Sequence, residues 1–126
     1  MKIPEELFYT QTHEWIRREG REVSVGITDH AQSELSDVVF IELPKVGRLV
    51  KQDDPTAVIE SVKAAYDIFA PVSGKVIRVN PEIEKDPALV NKDPYGKGWL
   101  FVVEATDEGN FKNLMDKSGY EAFLKR

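Results

Sequence analysis

The sequence contains no cysteine among its 126 residues. Disulfides, a thiol nucleophile and sulfur ligands for a metal are therefore excluded. It has only two histidines, His13 and His30, which is too few for a tight transition-metal site without cysteine. Phosphate-cradling loops and a serine in a nucleophile elbow are also missing. We therefore predict no metal site and no self-sufficient active site, so the protein is not expected to be an enzyme.

Long apolar runs and basic clusters are missing as well. Nothing in the sequence approaches the roughly 20 consecutive apolar residues that a membrane helix needs. The 17 Lys and Arg against 22 Asp and Glu give a formal charge of -5, which repels nucleic-acid phosphates. The first residues carry acids and no hydrophobic signal region. We expect a monomer that binds neither membranes nor nucleic acid. We also expect it to be cytoplasmic, or in the mitochondrial matrix if a presequence has been removed.

Most of the periodic segments predict β-strands. Residues 13–27 read as a hairpin that turns near Glu19-Gly20, because apolar and small polar residues alternate in its second half. Further strands are predicted from Val38 to Leu43 and from Trp99 to Val103. Two short turn-then-strand units, residues 46–50 and 72–76, resemble each other and suggest two similar halves.

Short helices are predicted between and after these strands. One opens near Asp29 as its N-cap, and another begins at Asn80-Pro81. Two more are predicted in residues 107–126, the second with a capping box at Ser118–Glu121, and we expect both to pack on the β body. The chain has no linker and no low-complexity segment. We therefore expect residues 1–126 to form a single domain.

Lys63 is the candidate functional residue. It lies in a segment, about residues 55–70, in which an alternating run precedes the lysine and a second β-prone run follows it. This pattern predicts a hairpin with Lys63 at its tip, where the amine is exposed. Taken alone, such a lysine is usually a solvated charge.

Several sequence motifs along the chain indicate which family the Lys63 hairpin resembles. The sequence resembles the glycine cleavage H-protein family of lipoyl carriers over nearly its whole length. The matching stretches are THEW at 12–15, VGITDHAQ at 25–32, DVVF at 37–40, LPxVG at 43–47, ESVKA at 60–64, APVSG at 70–74, LVN at 89–91, PY at 94–95 and GWL at 98–100. The resemblance implies a mainly β, lipoyl/biotinyl-type barrel-sandwich hybrid with short helices, in which two small sheets are related by an approximate twofold axis.

The resemblance also implies that lipoic acid is joined to Lys63 by an amide bond. A sister family carries biotin on a similar lysine, normally flanked by methionines, whereas here the neighbours are Val62 and Ala64. The implied function is that of a carrier in the glycine cleavage system. It would take the aminomethyl group of glycine from a pyridoxal-phosphate-dependent decarboxylase to a tetrahydrofolate-dependent aminomethyltransferase. The dihydrolipoyl form would then go to dihydrolipoyl dehydrogenase, and a lipoate-attaching enzyme would be a further partner.

A carbon bonded to both nitrogen and sulfur hydrolyses readily, so the loaded arm should be held out of water. By resemblance, Glu14 and Asp67 are the candidate partners for the cargo's amine, with Thr12 and Ser61 as polar neighbours. From the residues alone, both carboxylates fit solvated strand positions equally well. Two other functions remain open: a lipoate-relay protein of the same fold that supplies lipoyl groups to other acceptors, and an unmodified structural domain.

Overall fold

The computed structural model describes all of residues 1–126 and contains two antiparallel sheets. The nine strands are β1 (Phe8–Tyr9), β2 (Glu14–Glu19), β3 (Glu22–Ile27), β4 (Val38–Glu42), β5 (Leu49–Val50), β6 (Pro55–Ser61), β7 (Ala65–Phe69), β8 (Gly74–Val79) and β9 (Phe101–Ala105). Six strands form one sheet in the order β1-β2-β3-β9-β8-β5, and three form the other in the order β4-β6-β7. The predicted class, mainly β with short helices, is confirmed.

The first hairpin joins β2 to β3 as the alternation predicts. Its turn passes through Gly20, whose φ of 63° is the left-handed conformation that glycine adopts without strain. Within the hairpin, Gly26 lies opposite Trp15. A Cβ at Gly26 would collide with the indole ring, so this glycine makes room for a fully buried tryptophan. The indole N–H donates to the Pro94 carbonyl at 2.8 Å, which satisfies its only polar group.

Two apolar clusters hold the structure together. The larger one lies between the two sheets and draws on nearly every strand, with Ile16, Ile59 and Phe101 among its fully buried members. The smaller one is mostly aromatic and consists of Leu7, Tyr9, Trp15, Tyr95 and Tyr120. Burial of such large side chains contributes roughly 1.5–3 kcal/mol each to folding. The smaller cluster joins the first strands to the C-terminal helix.

Four short α-helices accompany the sheets: α1 (Asp29–Leu35), α2 (Pro81–Lys85), α3 (Leu89–Lys92) and α4 (Lys117–Leu124). A 3₁₀ helix spans Glu108–Asn113. None of these helices has the length and apolar character needed to cross a membrane. Asn80 caps α2 and Pro81 is its first residue, as predicted.

Two predicted helix starts are wrong by one or two residues. The N-cap of α1 is Thr28, whose hydroxyl accepts from the Ala31 N–H, whereas Asp29 is already helical. The N-cap of α4 is Asp116, whose carboxylate accepts from the Gly119 N–H at 2.8 Å, so Ser118 lies inside the helix. In both cases the capping residue is the one whose backbone is still extended. Several neighbouring residues have side chains that can cap, so residue type alone did not identify the right one.

The C-terminal segment packs on the β body, as predicted. Tyr9 and Met115 exchange two backbone hydrogen bonds of 2.8 Å, which attach the chain before α4 to the edge strand β1. Tyr120 of α4 then stacks on Tyr9 with ring centroids 4.7 Å apart. Helix α4 is therefore fixed to β1, the strand that precedes the Glu14 segment.

Candidate functional site

Lys63 occupies the tip of the β6–β7 hairpin. The strands pair up to Glu60 and Ala65, and the turn closes with the Ser61 N–H donating to the Ala64 carbonyl at 2.9 Å. The Ser61 hydroxyl oxygen accepts from the backbone N–H groups of Lys63 and Ala64 at 3.1 and 3.3 Å. Ser61 therefore organises the turn that presents Lys63.

The tip leans against neighbouring backbone on one side. The Val62 N–H donates to the Asp37 carbonyl at 3.0 Å, just before β4. The exposed Lys63 amine reaches the Glu34 carbonyl at the end of α1, at 3.4 Å. This contact is long for a hydrogen bond, so the amine stays available to another protein. The hairpin thus fixes the position of the lysine backbone and leaves its side chain free.

A cleft of about 320 Å³ opens beside this contact, between α1, β7 and the segment before β2. Glu34, whose carbonyl meets the Lys63 amine, is one of its lining residues, so one end of the cleft lies next to the tip. Its apolar lining comes from residues of both sheets and α1: Ile27, Ala31, Leu35, Tyr66 and Ile68. Its polar lining is Thr12, His13, His30, Glu34 and Asp67. A flexible arm on Lys63 would find an apolar wall within reach.

Glu14 lies behind this cleft and does not line it. Only 1% of its surface is exposed. Its carboxylate accepts from the Thr12 hydroxyl at 2.5 Å, from the Thr10 hydroxyl, and from the Phe69 N–H at 3.2 Å. Burial raises the pKa of Glu14 above its ordinary value, while the hydrogen bonds from Thr10 and Thr12 act in the opposite direction.

Asp67 and Thr12 are the predicted polar residues that the structure brings into the cleft. Asp67 lies on β7 opposite Val58, and its exposed carboxylate also borders a neighbouring surface groove. Thr12 connects the buried acid Glu14 to the cleft, because its hydroxyl donates to Glu14 while the residue lines the cleft. Ser61, by contrast, belongs to the turn and is not part of the cleft lining.

Three further cleft residues were not predicted as site residues. His13 has a φ of 68°, and its Nδ1 lies 2.8 Å from the Tyr120 hydroxyl. Its ring is 4.6 Å from the ring of His30, whose Nε2 lies 3.9 Å from Glu34. Burial lowers the pKa of the His13 imidazole, and the charge of His30 lowers it further. In the sequence, His13 and His30 lie in the matching stretches at 12–15 and 25–32, and His30 and Glu34 are one helical turn apart.

An exposed hairpin lysine on a two-sheet β body, beside an apolar cleft that a tethered chain can enter, is the arrangement of a swinging-arm carrier. Comparison with known proteins identifies which one. The family model described as "Glycine cleavage H-protein" matches residues 7–126. The chain therefore belongs to the glycine cleavage H-protein family.

Similar proteins agree with that assignment along the whole chain. The glycine cleavage system H protein of Thermus thermophilus is 53% identical over 125 residues, covering 99% of this chain and 98% of the relative. That of Thermotoga maritima is 52% identical over 115 residues, covering 91% and 93%. The crystal structure of a glycine cleavage system H protein from Mycobacterium marinum superposes with a TM-score of 0.87 at 38% identity, covering 98% of this chain and all of that one.

Family membership confirms several predictions made from the sequence. The fold is the predicted barrel-sandwich hybrid, and the protein is a non-catalytic lipoyl carrier of the glycine cleavage system that works with the enzymes of that system. It carries lipoate by a covalent bond. The residues present fit this group, because the structure offers an exposed primary amine for the amide bond and an apolar cleft beside it for the arm.

Proposed function

We propose that Lys63 is the lipoyl attachment point and that the arm on Lys63 rests in the adjacent cleft between visits to partner enzymes. The observation that carries this proposal is the contact between the Lys63 amine and the Glu34 carbonyl, since Glu34 also lines the cleft. An attaching enzyme needs an amine that stands clear of the protein on a backbone of fixed geometry. The turn built by Ser61 supports both requirements.

The cleft residues have distinct roles in this proposal. Lipoate, when bound, supplies a disulfide that accepts the one-carbon cargo together with two electrons. Ile27, Leu35 and Ile68 provide apolar surface against which the arm excludes water. Exclusion of water protects a cargo in which carbon is bonded to both nitrogen and sulfur.

The amine of the cargo would be held by the polar end of the cleft. Asp67 offers an exposed carboxylate to an ammonium group, and such charge-assisted hydrogen bonds are about twice as strong as neutral ones. The Thr12 hydroxyl donates its proton to Glu14, so its oxygen remains available as an acceptor for the cargo. Glu14 acts indirectly in this scheme, because it orients Thr12.

We further propose which enzymes are the partners of the carrier and that it acts as a single-domain monomer. The cargo is the aminomethyl group of glycine, received from the pyridoxal-phosphate-dependent decarboxylase and delivered to the tetrahydrofolate-dependent aminomethyltransferase. Dihydrolipoyl dehydrogenase then restores the disulfide. Residues 1–126 act as one carrier domain and as a monomer. The names of the relatives, which refer to the glycine cleavage system, support this assignment.

Intact-mass measurement tests the attachment point. The wild type, Lys63→Arg and Lys75→Arg are each incubated with a lipoate-attaching enzyme, lipoate and ATP. Lys75 is a suitable control because it is another exposed lysine, but in the middle of a strand pair. We expect the mass of one lipoyl amide on the wild type and on Lys75→Arg, and none on Lys63→Arg. Modification of Lys63→Arg, or none of the wild type, would overturn the proposal.

A pair of hairpin variants tests how the cargo is held. Asp67→Asn and Glu60→Gln each remove one exposed carboxylate from the same hairpin, but only Asp67 lines the cleft. We expect the loaded carrier to lose its cargo about three- to tenfold faster in Asp67→Asn, because the charge-assisted bond is gone. The rate in Glu60→Gln should match the wild type. Equal rates in all three proteins would contradict a role for Asp67.

A further inference from the structure

The Tyr120 hydroxyl connects two walls of the cleft from outside it. Its oxygen lies 2.8 Å from His13 Nδ1 and 2.8 Å from Thr28 Oγ1. His13 belongs to the segment before β2, and Thr28 is the N-cap of α1, the helix that supplies the opposite wall. A second link joins the same walls, because the Thr28 N–H donates to the His13 carbonyl at 3.0 Å. Tyr120 itself is fully buried and sits outside the cleft lining.

The direction of each hydrogen bond follows from counting donors. The Thr28 hydroxyl oxygen accepts from the Ala31 N–H at 3.2 Å. Thr28 is fully buried, and its hydroxyl proton has the Tyr120 oxygen as its acceptor. The Tyr120 proton must then go to His13 Nδ1, its other partner. His13 Nδ1 is therefore an acceptor, so the imidazole is neutral and its proton is on Nε2.

Protonation of His13 would disturb this chain of hydrogen bonds. A proton on Nδ1 would make His13 a donor, and either the Tyr120 or the Thr28 hydroxyl would then have no acceptor for its buried proton. Such an unpaired buried donor is costly. Burial and the charge of His30 lower the pKa of His13, in agreement with the neutral form, whereas Glu34 acts in the opposite direction.

We propose that Tyr120 is a positioning residue that holds His13 in the neutral Nε2–H form and thereby keeps the polar end of the cleft receptive to a cationic cargo. The proposal deepens the proposed function of the cleft and rests on it. The charged and titratable groups that share the cleft with His13 are His30 and Glu34 of α1 and Tyr66 and Asp67 of β7. Helix α4 contributes the rings of Tyr120 and Phe123. A cationic His13 among them would repel the ammonium group that Asp67 attracts.

The C-terminal helix thereby acquires a role in the carrier chemistry. Tyr120 is placed by its stack on Tyr9 and by the Asp116 cap of α4, and neither residue lines the cleft. The arm is thus held by residues of the hairpin, α1 and the segment before β2, while α4 sets the protonation state of one of them.

Nitrogen NMR of the histidine rings tests this inference on the protein without lipoate. Tyr120→Phe removes the hydroxyl and keeps the ring. Tyr9→Phe is the matched control, because Tyr9 is a buried tyrosine of the same cluster whose hydroxyl donates to the Pro4 carbonyl. In the wild type and in Tyr9→Phe we expect the Nε2–H tautomer of His13. In Tyr120→Phe we expect mixed tautomers and a His13 pKa higher by about 0.5–1.

A wild-type His13 that carries its proton on Nδ1 would overturn the inference, even if Tyr120→Phe failed to fold. An unchanged tautomer and pKa in Tyr120→Phe would overturn it as well. For the lipoylated protein, loss of cargo as the pH is lowered should begin at a higher pH in Tyr120→Phe than in Tyr9→Phe, with about three- to tenfold faster loss at pH 6. Identical pH profiles would contradict the link to the cargo. Failure of the proposed function is distinguishable, since an unlipoylated Lys63 leaves the ring spectra unaffected.

Discussion

Glu14 shows how burial of one carboxylate shapes the site. It is the one charged side chain among the buried residues, and it is surrounded by donors from Thr10, Thr12 and Phe69. Removing it would leave those donors without their acceptor. Its main role in the structure is therefore to fix Thr12 and to tie the segment before β2 to the end of β7.

The stability of a Glu14→Ala variant tests that role. We expect the free energy of unfolding at pH 7 to fall by about 2–4 kcal/mol, because buried donors lose their partner and a cavity forms. Glu60→Ala, an exposed position on β6, should change it by less than about 0.5 kcal/mol. Urea unfolding measures both. A cost for Glu14→Ala as small as that for Glu60→Ala would contradict the structural role.

The difference in unfolding free energy between the wild type and Glu14→Ala should depend on pH, and its direction follows from the pKa of Glu14. The pKa of Glu14 is raised in the folded state, so the folded protein holds this proton to a higher pH than the unfolded chain does. The stability that this shift contributes is therefore fully present below the unfolded pKa, about 4.5, and is lost as the pH rises through the folded pKa. We expect the wild type's advantage over Glu14→Ala to grow as the pH is lowered from 7 towards the unfolded pKa. The opposite slope would mean that the carboxylate is favoured in its charged form.

Helix caps decide how the elements around the site begin. Asp116 caps α4, the helix that delivers Tyr120, and Ser118 lies inside it. We expect Asp116→Ala to lower the free energy of unfolding by about 1 kcal/mol, which for a chain of this size lowers Tm by about 3–5 °C. Ser118→Ala should leave Tm nearly unchanged. Calorimetry measures both shifts. A larger decrease in Tm for Ser118→Ala than for Asp116→Ala would contradict the Asp116 cap and favour the predicted capping box at Ser118–Glu121.

The sequence predicted best those elements in which apolar and polar residues alternate clearly or in which the turn residues are unambiguous. The β2–β3 hairpin, the Asn80-Pro81 helix start and the exposed Lys63 tip are local features, determined by a few neighbouring residues. The last strand begins at Phe101 and not at Trp99, because the Gly98-Trp99 segment turns back on Asp93 and Gly96 before Leu100 bonds to Val25. That boundary depends on tertiary hydrogen bonds.

The candidate site was predictable only in part, for a similar reason. Lys63, Asp67 and Thr12 could be named because the sequence resembles the lipoyl-carrier family. The burial of Glu14 and the bond between Tyr120 and His13 could not, since the latter joins residues 107 positions apart. No local pattern encodes such a contact. It follows from the packing of α4 on β1, which the apolar stripe of the C-terminal helix indicated only in outline.

At the scale of the whole molecule, the structure separates three tasks. The two sheets supply a rigid frame and the β6–β7 hairpin presents the lysine, while the proposed function makes the cleft beside α1 the resting place of the arm. The chain contains no cysteine, and no group of three or more His, Cys, Asp or Glu is placed to hold a metal ion. The central claim is therefore that everything the protein transfers passes through Lys63.

Exchange of glycine carboxyl carbon with labelled bicarbonate tests that claim most directly. The assay combines the lipoylated carrier with its pyridoxal-phosphate-dependent decarboxylase, and Lys63→Arg and Lys75→Arg are carried through the same lipoylation step. We predict exchange with the wild type and with Lys75→Arg, and only the decarboxylase's background with Lys63→Arg. Exchange by Lys63→Arg at the wild-type rate would contradict the account.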